Sequence, residues 1–368
     1  MLTRILVDNY RCFERFELRP GGFNLLLGAN GTGKSSVLDV LSALLRHVSG
    51  RGDLDALFPD SSLARRGAKG LQRFELEARI GEAEYGYRLA IEHGPRGKAQ
   101  VAREEVTLGG HSLLHYDGAE VAIHDPGSAL IKYPFAGGVS PLASLPSQTS
   151  RRVSVFVDYM RSLWVIRPVP QRMAAETQRN DPWLASDLSN FSAWFGELMQ
   201  EDPRVVERIT RSLRPVLDGF VGFTLSRETA RSQTLRLKFK ARKGKRSDDG
   251  ADDPGFALDQ LSDGQRMLVA LYTLLHVVVR AGRTLLIDEP DNFVAMPEIQ
   301  PWLDELRDGI DEKHGQAFVV SHHPRLTNLY ANRYGFWFER KGTGRVSVRR
   351  IAVKPEEGGI PVAELLAR

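Results

Sequence analysis

Gly28-Ala29-Asn30-Gly31-Thr32-Gly33-Lys34-Ser35 fits the pattern G-x-x-x-x-G-K-[ST], and its flanks decide how it is read. Ahead of it runs Phe23-Asn24-Leu25-Leu26-Leu27, a short apolar stretch suited to a strand buried on both faces of a parallel sheet. Behind it, Val37, Leu38, Val40, Leu41 and Leu44 recur at helical spacing, so a helix starts at about Ser35. Strand, glycine-rich turn and helix is the context the pattern needs. Glycines let successive backbone N–H groups curl towards phosphate oxygens, and the helix N-terminus adds its positive dipole end. In this reading Gly28, Ala29, Asn30, Gly31, Thr32, Gly33, Lys34, Ser35 and Ser36 wrap the phosphates of a nucleotide. Lys34 reaches the β- and γ-phosphates and the Ser35 hydroxyl ligands Mg²⁺. The bland alternative, a glycine-rich turn with a chance lysine, does not account for both flanks.

Three further segments add to the loop. Thr284-Leu285-Leu286-Ile287 predicts a strand that ends in Asp288-Glu289. At the carboxyl end of a parallel strand Asp288 is placed to hold Mg²⁺ through water, and Glu289 to polarise an attacking water as general base. By itself such a strand end reads equally well as solvated; the phosphate loop gives it weight. Leu261-Ser262-Asp263-Gly264-Gln265 opens a helix predicted over 263–280, with Ser262 as its cap and the first free N–H groups facing an anion. Ser321-His322-His323-Pro324 follows a strand predicted over 317–320.

In this order the segments resemble the ABC ATPases. Leu261–Gln265 is similar to their LSGGQ signature, with Asp263 in place of the first glycine. The resemblance implies ATP with Mg²⁺ as cofactors and a homodimer on ATP binding, in which Ser262, Gly264 and Gln265 act on the ATP of the opposite protomer. It also implies a switch histidine that contacts the γ-phosphate. His322 fits that role, with His323 as the second choice. Val7-Asp8-Asn9-Tyr10-Arg11-Cys12-Phe13 resembles the first strand of the RecF, structural-maintenance-of-chromosomes (SMC) and OLD group. Tyr10-Arg11 then lies near the adenine or forms an ordinary strand-edge pair. Ala295 stands where transporter ATPases carry an aspartate. The glutamine that joins the two lobes in the family is not identifiable, and Gln148 is its weak candidate. The resemblance covers about residues 1–45 and 256–340.

The expected fold is therefore α/β: a P-loop NTPase of the ABC-ATPase type with a mixed core sheet, an antiparallel β subdomain and an inserted helical lobe. The expected divisions are 1–140, 141–255 and 256–368. Apolar and polar residues alternate from about 71 to 123, which predicts an antiparallel meander. Helices are predicted at 188–199 and 205–217 and around Ile299–Ile310, a strand at 234–240, and a closing hairpin from 334–339 and 345–349.

Composition bounds the rest. Hydrophobic residues make up 42% and charged residues 26%, ordinary for a globular chain with a sizeable core. Fifty basic and 46 acidic residues leave a net charge of +4, compatible with nucleic acid but not an argument for it. One cysteine, Cys12, excludes an internal disulfide or a CxxC site. The N-terminus lacks a signal-peptide pattern and the apolar run 267–279 is broken by His276, so a cytoplasmic protein with no membrane partner is expected. Asp53-Leu54-Asp55 reads as loop rather than as a nuclease centre, and too few residues follow His322 for the appended nuclease domain of OLD enzymes.

Arg236, Lys238 and Lys240 share one face of the 234–240 strand and lead into Arg242, Lys243, Lys245 and Arg246. This is the candidate DNA-backbone surface; the alternative is an edge strand guarded by lysines. The expected function is an ATP-driven clamp acting on DNA or on a separate effector protein, in DNA repair or phage defence. A transporter ATPase subunit and a non-hydrolysing nucleotide-gated module are the rivals.

Overall fold

A computed structural model describes residues 1–64, 70–94, 97–125, 129–146, 148–229, 231–240, 255–342, 344–352 and 364. The chain forms two compact units, Met1–Leu163 with His322–Arg368, and Trp164–Ser321. In chain order the first unit begins with β1 (Leu2–Asp8), β2 (Phe16–Leu18), β3 (Phe23–Gly28), α1 (Lys34–Val48) and a short α2 (Leu54–Leu57). It continues with β4 (Leu71–Ile80), β5 (Ala83–His93), β6 (Ala99–Leu108), β7 (His111–Tyr116), β8 (Glu120–Ile123) and β9 (Ile131–Pro134). Two helices, α3 (Pro141–Ser144) and α4 (Arg151–Arg161), close this stretch. The second unit opens with β10 (Leu163–Ile166) and β11 (Glu176–Thr177), then α5 (Phe191–Glu201), α6 (Pro203–Leu213), β12 (Phe220–Arg227), β13 (Gln233–Phe239) and β14 (Phe256–Ala257). It ends with α7 (Asp263–Val277), β15 (Thr284–Asp288), α8 (Met296–Lys313) and β16 (Gln316–Val320). The chain then returns to the first unit through α9 (Pro324–Tyr334), β17 (Gly335–Arg340) and β18 (Val346–Arg350).

The alternation in 71–123 becomes an antiparallel sheet in the order β2-β1-β4-β5-β6-β7-β8-β9. Phe74, Leu76 and Ala78 on β4 and Tyr85, Tyr87, Leu89 and Ile91 on β5 are buried, while most of the residues between them are not, so one face of the sheet is core. Phe156 of α4 meets Tyr85 and Tyr87 at ring distances of 6.1 and 5.3 Å. Glu104 of β6 is fully buried, and it accepts from Tyr87 Oη (2.8 Å) and Ser140 Oγ (2.8 Å) beside His47 Nε2 of α1 (3.3 Å). Those partners offset the cost of burying a carboxylate. In the same unit β3 is buried along its whole length and pairs in parallel with β17, which pairs antiparallel with β18. β1 joins the meander rather than β3.

In the second unit β15 and β16 are parallel and buried, with β10 on the other side of β15. Met267–His276 of α7 is buried throughout, as the all-round apolar pattern requires. Trp302 of α8 is fully buried and donates its indole N–H to the Leu271 carbonyl (2.9 Å). α9 was not among the predicted helices, and α4 lies in the stretch expected to be helical, at a place where no helix was assigned. Polar caps give both away in retrospect: Ser150 accepts from Val153 N and His323 Nδ1 from Arg325 N. The Asp53–Asp55 segment is no plain loop, since α2 starts there and Asp55 accepts from Ala99 N (2.6 Å). Among the described residues no helix is long and apolar enough to cross a membrane.

Candidate nucleotide site

Residues 28–33 form a turn that only glycine can make at three positions. Gly28, Gly31 and Gly33 have φ values of 143°, 78° and 99°, a region L side chains rarely adopt. A Cβ on Gly28 would lie 2.4 Å from the Phe338 carbonyl oxygen of β17, and one on Gly33 would lie 2.8 Å from Cys12 Sγ. Thr32 Oγ1 donates to the Ala29 carbonyl (2.8 Å) and closes the turn. Lys34, 4% exposed, donates Nζ to the carbonyls of Gly28 and Ala29, both at 2.8 Å. Its ammonium is thus held at the loop's own mouth, where phosphate oxygens can replace the two carbonyls. Ser35 and Ser36 begin α1, with Ser36 Oγ 3.7 Å from Cys12 Sγ. Tyr10 is 2% exposed and packs edge-on against Phe58 and Phe74, so its ring has no face to offer an adenine. Arg11 pairs with Asp39 of α1.

The acidic strand end lies in the second unit. Asp288 terminates β15, and Arg167 Nε stands 3.7 Å from its Oδ2. Glu289 follows with φ 48°, its N–H on the Val320 carbonyl of β16 (2.9 Å) and its Oε2 accepting from Asn292 Nδ2 (2.6 Å). Left-handed backbone at a non-glycine residue costs about 1–2 kcal/mol, and here it falls at the residue where the chain leaves β15. Asp291 accepts from Ser321 Oγ (3.0 Å) at the end of β16. The hydroxyl of Ser35 and the carboxylate of Asp288 are hard oxygen donors of the kind Mg²⁺ takes, so the residues present fit that ion chemically.

The signature segment caps α7 as its sequence suggests. Ser262 Oγ accepts from Gln265 N (3.2 Å) and Gln265 Oε1 from Ser262 N (3.1 Å), a reciprocal box that fixes the helix start. Asp263, the departure from the glycine pattern, has work of its own: Oδ1 pairs with Arg266 (2.8 Å) and Oδ2 accepts from Gln171 Nε2 (2.5 Å). Gly264 needs to be glycine for a contact reason, since a Cβ there would lie 2.8 Å from the Phe293 carbonyl oxygen. The signature turn therefore packs on the segment that follows Glu289.

Of the paired histidines, His323 caps α9 and His322 is exposed. Lys34, Ser35 and His322 belong to the first unit; Ser262, Gly264, Gln265, Asp288 and Glu289 belong to the second. Gln148 is exposed just ahead of α4 and has no part in either segment. The residues that sequence reasoning missed are Arg167 and Gln171. A polar pair flanking Pro168 and Pro170 carries no pattern that would have found them.

The basic strand is not an edge. β13 lies between β12 on one side and β11 and β14 on the other. Arg236 donates to Glu228 (2.8 Å), Ser226 Oγ (3.0 Å) and the Gly255 carbonyl (3.2 Å). The Arg236 hydrogen bond holds the Glu228 carboxyl below its ordinary range. Lys238 is half-buried and Lys240 exposed. Arg242, Lys243, Lys245 and Arg246 lie outside the described residues.

The AAA_21 family, described as "AAA domain, putative AbiEii toxin, Type IV TA system", matches residues 178–328, and the AAA_23 family, an AAA domain, matches residues 4–115. The DNA replication and repair protein RecF of Xanthomonas axonopodis pv. citri is 29% identical over 231 residues, 59% of this chain and 57% of the relative. The cytochrome c biogenesis ATP-binding export protein CcmA of Rhodospirillum rubrum is 61% identical over 36 residues, 10% of this chain and 16% of the relative. The chain thus spans little more than half of the first relative's length and a sixth of the second's. An SMC head solved bound to the C-winged helix domain of ScpA shares the fold, at 12% identity and a TM-score of 0.59 over 98% of this chain and 99% of the other. The fold is that of P-loop ATPases of the ABC type, and two AAA-domain families match its two ends. Within that fold the chain is similar in sequence to RecF and in structure to an SMC head.

Proposed function

We propose that this protein binds and hydrolyses ATP with Mg²⁺, and that two copies close head to tail around two ATP molecules as a clamp. The observation that carries the reading is the Lys34 ammonium, buried at the mouth of a glycine turn in which Gly28 and Gly33 leave no room for a Cβ. Ser35 and Asp288 would hold the ion, which neutralises charge on the phosphates. Glu289 takes the proton of the attacking water. Ser262 and Gly264, with Gln265 bracing the turn, present the start of α7 to the ATP of the other protomer. His322 is the switch in this reading, a choice supported by His323 serving as the cap of α9. The exposed Phe293 beside Gly264 suits a face that meets a second copy.

DNA as the clamped partner is favoured by the relative named a DNA replication and repair protein. Lys238 and Lys240 remain as phosphate contacts, while Arg236 is spent on Glu228. A separate effector protein, as in phage defence, is the other partner class, and the protein acts in the cytoplasm. The direct experiment is light scattering on Glu289→Gln with ATP and Mg²⁺. A doubling of mass that Lys34→Ala abolishes is expected, and a monomer under all conditions overturns the clamp.

A further inference from the structure

The loop after β10 touches both chemical segments of the second unit. At its start Arg167 leaves the strand with its N–H on the Ser186 carbonyl (2.7 Å) and its Nε 3.7 Å from Asp288 Oδ2. Three residues on, the Pro170 carbonyl accepts from Arg266 Nη1 (2.9 Å), and next to it Gln171 Nε2 donates to Asp263 Oδ2 (2.5 Å). A stretch of five residues is thereby fixed to the acidic strand end at one side and to the signature turn at the other. A guanidinium keeps its charge at any working pH. Next to the carboxylate assigned to the metal it balances that carboxylate while no ion is present, and it repels a divalent cation that approaches the same oxygens. The side chains of Arg167 and Asp288 are 40% and 16% exposed, so the contact is strong enough to bias the carboxylate yet weak enough to yield to an ion.

We propose that Arg167 is a positioning residue that holds Asp288 until Mg²⁺ arrives and competes with the ion for it. When Mg²⁺ displaces Arg167, the loop held by Pro170 and Gln171 is released at its metal end, which passes the metal's arrival to the signature turn. The inference rests on the reading of Asp288 as the carboxylate on the Mg²⁺ side of the ATP site.

The test measures binding of a non-hydrolysable ATP analogue to the full chain as a function of Mg²⁺ concentration. Arg167→Ala is expected to lower the Mg²⁺ midpoint roughly fivefold, the upper end of what a part-exposed ion pair contributes. Arg167→Lys, which keeps the charge, should stay within about twofold of wild type. In an Asp288→Asn background the Arg167→Ala shift should vanish, and in wild type it should shrink as salt rises. An unchanged midpoint in Arg167→Ala overturns the proposal, and so does a shift that persists without the Asp288 charge. Should Arg167→Ala fail to fold, Arg167→Gln takes its place in the same comparison. Failure of the ATP-site reading looks different: wild type then shows no Mg²⁺-dependent nucleotide binding at all, and Lys34→Ala matches it.

Discussion

The phosphate loop and the signature turn both depend on glycine, for different reasons. At the loop, Gly28, Gly31 and Gly33 are demanded first by their backbone angles, to which the Phe338 carbonyl and Cys12 Sγ add close contacts at Gly28 and Gly33. At the signature turn, Gly264 is demanded by a distant chain segment, the Phe293 carbonyl, that stands where a Cβ would go. Asp263 tells the same story. As sequence it is a blemish in a known pattern; in the fold it is the anchor of Gln171, 92 residues earlier. A site built from local geometry announces itself in the sequence, and a site built from long-range contacts does not.

Glu289 gives the largest expected effect and tests whether the second unit holds the base. Glu289→Gln should lower turnover by roughly 10²–10⁴-fold while ATP stays bound, measured as steady-state phosphate release. Wild-type turnover in this variant would move the base elsewhere. The signature comes next. Ser262→Arg should reduce hydrolysis by on the order of 10²–10³, the cost of losing a donor aimed at the transferring phosphate. ATP affinity of the monomer should hardly change, so an equal loss of affinity would place Ser262 on its own protomer's nucleotide.

Two smaller effects probe the glycine comparison itself. Gly33→Ala should destabilise the loop by about 1–2 kcal/mol through its backbone angle alone. Adding Cys12→Ala, which clears the nearest clashing atom, should therefore not rescue nucleotide binding or the melting temperature. Gly264→Ala has no such backbone penalty, because its φ is not in the left-handed region. It should leave ATP affinity intact and weaken hydrolysis, because the Phe293 segment must shift. The smallest effect concerns DNA. If Lys238 and Lys240 each neutralise one phosphate, changing both to Glu should flatten the slope of log affinity against log salt by about 1.8. An anisotropy titration in ATP with the Glu289→Gln protein reads this. No change of slope would direct attention to a protein effector.

Much of the fold was legible because its signals are local. Alternation over 71–123 gave the antiparallel sheet, and continuous apolar runs at 23–27, 284–287 and 317–320 gave buried strands that structure places at β3, β15 and β16. Helices α5 and α6 fall within a few residues of their predicted spans. α4, inside the stretch expected to be helical, was not placed because its start, Arg151-Arg152, looks like plain surface charge until Arg152 is seen to pair with Asp125 (3.1 Å). The basic strand failed for a related reason: periodicity tells which face a residue takes, not whether a neighbour such as Glu228 already holds its charge.

The sequence by itself determined the glycine loop, the acidic strand end and the serine cap. Backbone angles, strand burial and capping are fixed within a few residues, and the chain spells them out in order. Only the tertiary structure decided that Tyr10 is core, that β13 is flanked on both sides, that Gly264 must leave room for Phe293, and that Arg167 faces Asp288. Each of these joins side chains far apart in the chain, through contacts that no local pattern encodes.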